Sequence, residues 1–388
     1  MKQGWEYKKL GEVCEVVSGS TPKTNVPEYW GKGHYWVTPA ELNETIVYID
    51  KTERQITDEA LAKTKLRLLP VGTVLLSSRA PIGKVAITKT EMYCNQGFKN
   101  CICSDSIYNK YLFYFLRLKK EYLNSLGRGA TFKEISKSIV ESISIPLPPK
   151  STQLAIVSEL DKINELIRLK KEQLKDFDNL AQSIFYEMFG DPVENEMGWE
   201  VKKLGEIGEV KTGNTPSRSN VNFYNEKFIE WIKTDNIRNE QMNPTTAAEY
   251  LSREGAECGR IVSKGSILVA CIAGSLSSIG KCCITTKNVA FNQQINAITP
   301  YEEFCNSIYL YELIRNSSKY IQQNATTGMK HILSKSIFEK MKFPLPPLTL
   351  QHLFAHRIEQ IEHQKSEVQN AITDLETLLA SRMQYWFE

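Results

Sequence analysis

The chain repeats itself, and the repeat settles most of what it can fold into. Residues 4–22 read GWEYKKLGEVCEVVSGSTP and residues 198–216 read GWEVKKLGEIGEVKTGNTP, with 13 of 19 positions identical. A second block closes each half: SKSIVESISIPLPP at 136–149 against SKSIFEKMKFPLPP at 334–347, nine of 14 identical. Between these blocks Trp36 pairs with Trp231, Gly83-Lys84 with Gly280-Lys281, Asn95-Gln96 with Asn292-Gln293, and Tyr111-Leu112 with Tyr309-Leu310. Halves this similar share one fold, so the 388 residues hold two copies of one domain rather than one large core.

The runs TVLLSS after Gly72 and SILVA after Gly265 are short and β-rich. VAIT at 85–88 and CCIT at 282–285 repeat that signal behind a Gly-Lys turn. YLFYFLRLKKEYLNSL, 111–126, has the spacing of an amphipathic helix. Both halves end in PLPP, which should stop a strand or a helix. Apolar steps of four and three residues come next: Ile156, Leu160, Ile163, Ile167, Lys170, Leu174, Phe177, Ala181, Ile184 and Met188. The second copy gives Phe354, Ile358, Ile361, Lys365, Val368, Ile372, Leu375 and Leu379. Such a pattern is a coiled-coil seam, with the one lysine of each copy read as filling the same slot. A helix of roughly 39 residues is about 58 Å long. With no partner inside its own half, each long helix is expected to pack antiparallel on the other. The expected fold class is an α/β (α+β) tandem repeat. Two mixed α/β domains, 1–149 and 191–347, alternate with two long helices, 150–190 and 348–388, that form an antiparallel coiled coil.

Composition narrows the class. Hydrophobic residues make up 41% and charged residues 24%, as in globular proteins, and no apolar run is long enough for a membrane span. MKQGWEYKKL lacks the apolar core of a signal peptide, so an intracellular protein with nine reduced cysteines is expected. Residues 1–150 carry 22 Lys/Arg against 15 Asp/Glu, and residues 190–347 carry 18 against 17. The helical segments 151–189 and 348–388 are acidic, 5 against 7 and 3 against 6. Two basic domains of one fold on a rigid rod suit a reader of two short DNA sequences a fixed distance apart.

In this the chain resembles the specificity subunits of type I restriction–modification systems. The resemblance rests on the GWE-x-KKLGE opening, the STP and NTP turns, WVTP at 36–39 and WIKTD at 231–235, the IGK turns and the NQ pairs. It extends through both SKS…PLPP…Q blocks and the helix ending FYEMFGDP, and so covers the whole chain. It implies two target recognition domains, each binding one half of a bipartite asymmetric site in double-stranded DNA. It implies helices that set the spacer and dock two modification (methyltransferase) subunits. Those partners would use S-adenosylmethionine to methylate adenine, and a restriction/translocase subunit would add ATP and Mg2+. This chain would itself bind no cofactor, metal or membrane, and would work in the cytoplasm.

Positions alike in both halves serve the frame, phosphate contact or docking, while positions that differ can read different bases. The Gly-Lys turns carrying Lys84 and Lys281 fit either a phosphate contact or a plain hairpin with an exposed lysine. Their spacing excludes a nucleotide P-loop, since Ser78 and Ser275 stand where glycine is needed. Thr21 and Thr215 fit either a turn cap or a phosphate contact. Asn95-Gln96 and its copy have the chemistry to bind adenine, but since both halves keep them a structural hydrogen-bonding role is favoured. For Trp36 and Trp231 core packing is favoured over base stacking. The divergent loops hold the remaining candidates: Lys23, Asn25 and His34 against Arg218 and Asn220, Arg79, and Arg128 and Lys133 against Lys330 and His331. No HExxH, GxSxG or amino-methyltransferase motif is present, so binding rather than catalysis is expected. A type IIB-like or orphan methylation system, or a coiled-coil scaffold unconnected with DNA, would use the same domain plan.

Overall fold

The computed structural model describes residues 5–79, 81–129, 133–238, 241–326 and 328–388. The chain divides into two compact units: Met1–Leu169 with Ala371–Glu388, and Lys170–Asn370.

In the first unit a five-stranded sheet has the order Cys14–Ser18, Lys99–Cys103, Val74–Leu76, Val85–Thr88, Tyr48–Ile49, antiparallel except for its last, parallel member. The apolar runs after Gly72 and Lys84 supply its centre, as their residue types require. A smaller sheet, Gln55–Ile56, Trp30–Val37, Tyr93–Cys94, closes over a second cluster built on Trp36, Ile56, Ala60 and Tyr93. In the second unit Gly208–Thr212, Ile295–Pro300, Ile267–Ala270 and Cys282–Ile284 form the main sheet. Tyr250–Leu251, Ile229–Ile232, Val289–Phe291 and Ile261–Val262 form the other. The mixed α/β domain is therefore present twice. The copies differ in length at several turns, most between two glycines: Gly72 and Gly265 are 193 residues apart, but Gly83 and Gly280 are 197 apart. The four additional residues lie between Ile272 and Gly280; Ile272–Ala273 itself pairs with His331–Ile332 where Arg79 bridges Glu134 in the first unit.

Three local expectations are corrected. The helix expected over 111–126 is two helices, Asn109–Leu118 and Lys120–Ser125, bent at Lys119 (ψ 13°). Ser317 (ψ 15°) bends the matching pair in the second unit, and the bends turn Leu123 and Ile321 into their cores. The prolines of PLPP do not stop the strand before them. Ser144–Leu147 and Lys342–Leu345 run through Pro146 and Pro344, tolerated because each belongs to a two-stranded ribbon where one missing N–H breaks no central ladder. The seam lysines do not share a slot. Tyr111 and Tyr309 set the repeat offset at 198, which matches Lys365 to Ile167 and Lys170 to Val368.

The long helices run Lys150–Phe189 and Leu348–Phe387. Their first turns do have partners in their own half: Ile156 and Leu160 enter the first core, and Phe354, Ile358 and Ile361 the second. Each unit also contains an antiparallel pairing of the two. In the first, Glu159 takes hydrogen bonds from Arg382 (Nη2, 3.1 Å) and Trp386 (Nε1, 3.0 Å). In the second, Asp178 meets Lys365 at 3.1 Å, and the ring of Phe185 lies 5.7 Å from that of Phe354. Early residues of one helix meet late residues of the other in both cases. Ile163, Ile167, Val368 and Ile372 are buried, and Leu174 and Leu375 are half-buried.

Each helix is fastened to its domain by a buried glutamine just after PLPP. Gln153 accepts from the Tyr108 N–H (2.8 Å) and donates to the Ser106 and Pro148 carbonyls (3.0 and 2.9 Å). Gln351 repeats all three bonds with Asn306, Phe304 and Pro346 (2.8, 3.1 and 2.8 Å). Both side chains are fully buried and satisfied at both ends of the amide.

Candidate nucleic-acid interface

The shared motifs lie together in each domain. Gly19 and Gly213 lead into the STP and NTP turns with almost no room beside them. A Cβ on Gly19 would stand 1.8 Å from the Asn95 carbonyl oxygen, and one on Gly213 2.1 Å from that of Asn292. Only glycine lets the turn press against the NQ backbone. The hydroxyls of Thr21 and Thr215 donate to the side-chain carbonyls of Gln96 and Gln293. The indole N–H of Trp36 donates to the Ser20 carbonyl (3.1 Å), and that of Trp231 to the Asn214 carbonyl (3.2 Å). Both indoles are buried. The same three side chains thus lock the same turn twice.

The turn glycines of the Gly-Lys pairs, Gly83 and Gly280, have φ of 91° and 85°, the left-handed region that favours glycine. Their lysines meet different surroundings. The Lys84 ammonium donates to the Pro39 carbonyl at 2.9 Å. Lys281 instead lines a cavity of about 270 Å³ with Thr234, Asp235, Ser278 and Gln294.

Among the divergent-loop candidates, Lys23 and Asn25 are exposed. His34 is half-exposed, with Nε2 2.8 Å from Asp58. Arg79 bonds Glu134 through Nε at 2.8 Å, and Lys99, buried in the domain, reaches the same carboxylate at 3.1 Å. Partial burial works to raise the Glu134 pKa, but the bonds from Arg79 and Lys99 outweigh it and hold the carboxyl below its usual range. Arg128 and Lys133 are exposed on the loop whose residues 130–132 lie outside the described residues. Lys330 is exposed, His331 is half-buried, and Asn220 caps its own turn by accepting from the Asn222 N–H at 3.1 Å. Arg218 lies over the rings of Tyr224 (4.6 Å) and Trp231 (4.9 Å) and pairs with Glu249. The structure therefore brings Thr21 with Gln96 and Arg79 with Glu134 and Lys99, and leaves the side chains of Lys23, Asn25 and Arg128 exposed.

Sequence reasoning passed over Arg54, Lys99, Glu134 and the paired glutamines. Gln153 and Gln351 were findable, since both stand at the repeat offset of 198. Arg54 was not, because the second half carries no arginine in its place.

Among the described residues no three metal-ligating side chains gather, and no helix is long and apolar enough to cross a membrane. All nine cysteines are free thiols; burial pushes Cys94, Cys271 and Cys305 up to about 12, which keeps them protonated.

A tandem pair of mixed α/β domains, each closed by a long helix, with matching turn locks and unlike surface loops, defines a duplicated recognition module. The model of the type I restriction modification DNA specificity domain matches residues 2–176 and 196–376, and the chain belongs to that family. The MjaIX type I restriction enzyme specificity subunit of Methanocaldococcus jannaschii is 39% identical over 242 residues, 58% of this chain and 56% of that protein. This chain thus spans little more than half the length of that relative. The HindI specificity subunit of Haemophilus influenzae is 28% identical over 342 residues, 68% of this chain and 73% of that one. A chain from a structural study of the assembly and conformational transition of a type I R-M system superposes with a TM-score of 0.66 at 20% identity, covering 99% of this chain and 97% of the other. The type I S subunit of M. genitalium gives 0.55 at 15%, covering 99% and 96%. At these identities the superpositions show a shared fold.

Proposed function

We propose that the chain is the DNA-specificity subunit of a type I restriction–modification complex. Residues 1–149 and 191–347 act as recognition domains, one for each half of a bipartite asymmetric site in double-stranded DNA. The helices 150–190 and 348–388 set the spacer and dock two modification subunits. The observation that carries this is an identical turn lock beside unlike surface pairs: Thr21–Gln96–Trp36 and Thr215–Gln293–Trp231 repeat, whereas the backbone pairing that carries Arg79–Glu134 in one domain carries Ile272–Ile332 in the other. A shared frame with different surfaces suits reading two different half-sites with one backbone mode.

The chain supplies recognition and no catalysis. S-adenosylmethionine belongs to the modification subunits, ATP and Mg2+ to a restriction/translocase subunit, and the complex works in the cytoplasm. Single-molecule sequencing of methylated adenines in the host genome, with and without this gene, tests the reading. An asymmetric bipartite motif that disappears with the gene supports it. A palindromic motif, or methylation unchanged by deletion, overturns it.

A further inference from the structure

The backbone N–H of Trp36 bonds the Arg54 carbonyl (3.2 Å), and that of Trp231 bonds the Glu249 carbonyl (3.1 Å), so Arg54 and Glu249 occupy the same place in the two domains. Their side chains are opposite in charge, yet both domains finish with a guanidinium over the same aromatic pair. In the first, Arg54 itself lies 3.8 Å over Trp30 and 5.3 Å from Trp36. In the second, Glu249 holds Arg218, which reaches in from the divergent loop to cover Tyr224 and Trp231. Tyr224 follows Trp30 by 194 residues, so the two pairs are counterparts.

Two routes to one placement indicate that the placement matters rather than the residue that provides it. Arg54 is exposed, and among the described residues no carboxylate or carbonyl bonds its guanidinium. Stacking fixes the plane of the group while leaving its N–H donors facing solvent. They border an open hollow of about 460 Å³ lined by Trp30, Gly31, Lys32, Glu53 and Gln55. A pre-oriented guanidinium with unspent donors matches paired acceptors, as on a guanine edge or a backbone phosphate.

We propose that Arg54, stacked on Trp30, is a DNA-contacting residue of the first recognition domain, and that Arg218 holds the corresponding position in the second. This rests on reading the chain as a DNA-specificity subunit. The test uses the full complex with its modification subunits and duplexes carrying the motif mapped by methylation sequencing. Arg54→Ala is expected to weaken binding to that duplex about 10- to 100-fold with an unchanged melting midpoint. Arg54→Lys should recover little, because an ammonium cannot present two parallel donors. If the acceptors are phosphate oxygens, R54A lowers the slope of log K against log salt by about 1 and weakens all duplexes equally. If they are a base edge, the slope stays and discrimination at one base pair of the first half-site is lost. Arg218→Ala should act on the second half-site alone. Should R54A melt early, Arg54→Met keeps a stem on Trp30 without the donors and gives the same reading. Wild-type affinity, slope and discrimination in R54A or R54M overturn the inference. If the wild-type complex shows no specific binding, it is the functional reading that fails.

Discussion

Gln153 and Gln351 each spend a whole amide on joining helix to domain. Removing either takes the partner from one N–H and two carbonyls, of which the Pro148 or Pro346 carbonyl is buried. Gln351→Ala is expected to destabilise its unit by about 2–4 kcal/mol in urea denaturation, and Gln153→Ala similarly. Glu is a poorer replacement than its shape suggests, because it cannot donate to the Phe304 and Pro346 carbonyls. Steric demand is as local at Gly19 and Gly213. Gly19→Ala forces the turn away from Asn95 and is expected to lower stability by about 2 kcal/mol or more. It should also break the Thr21–Gln96 bond, visible as a displaced Gln96 side-chain amide resonance.

Among the elements, the long helices carry the clearest electrostatics. Asp178 holds Lys365 and Arg315 together, each at 3.1 Å, and the Lys365 side chain is 11% exposed. Asp178→Ala strands a nearly buried ammonium with Glu362 as its remaining partner and is expected to cost about 2 kcal/mol. Lys365→Met removes that ammonium and should cost less, because an apolar side chain of similar size suits the seam. A denaturation midpoint for D178A no lower than for K365M would contradict this. In the other unit the hydrogen bond from Arg382, helped by that from Trp386, holds the Glu159 carboxyl below its usual range. A depressed folded-state pKa stabilises above the unfolded value, near 4.5, and that contribution fades as pH falls through the folded value. Glu159→Gln should therefore lower stability at neutral pH and flatten the acid limb of the midpoint-versus-pH curve below about 4.5. An acid limb as steep as that of the wild type would remove Glu159 from the account.

For the whole molecule, the helices keep apolar surface that the chain does not cover. Leu180 and Leu378, matched at the repeat offset, are 46% and 45% exposed. Exposed leucines recurring on equivalent helix faces fit docking of two like partners. Leu180→Glu with Leu378→Glu is expected to abolish co-purification with modification subunits while leaving helix content by circular dichroism unchanged. Either substitution alone should halve the bound stoichiometry. Full retention in the double variant would place the docking surface elsewhere.

The sequence by itself determined the duplication, the mixed α/β class of each half, the two long helices and their seam. These come from local rules: a repeated string folds twice alike, and apolar periodicity chooses helix or strand before any distant contact forms. It read one helix across the bend at Lys119 and stopped the strand that runs through Pro146. Those outcomes depend on which neighbour an element meets, not on the residues within it. Only the tertiary structure decided how polar and charged side chains are spent. It tied Arg79 to Glu134 and Lys84 to a carbonyl, and it placed Arg54 and Arg218, from unrelated positions in the repeat, over matching aromatic pairs. A long side chain reaches partners many residues away, so its role is set by what the fold brings within a few ångströms of it. No spacing rule along the chain records that.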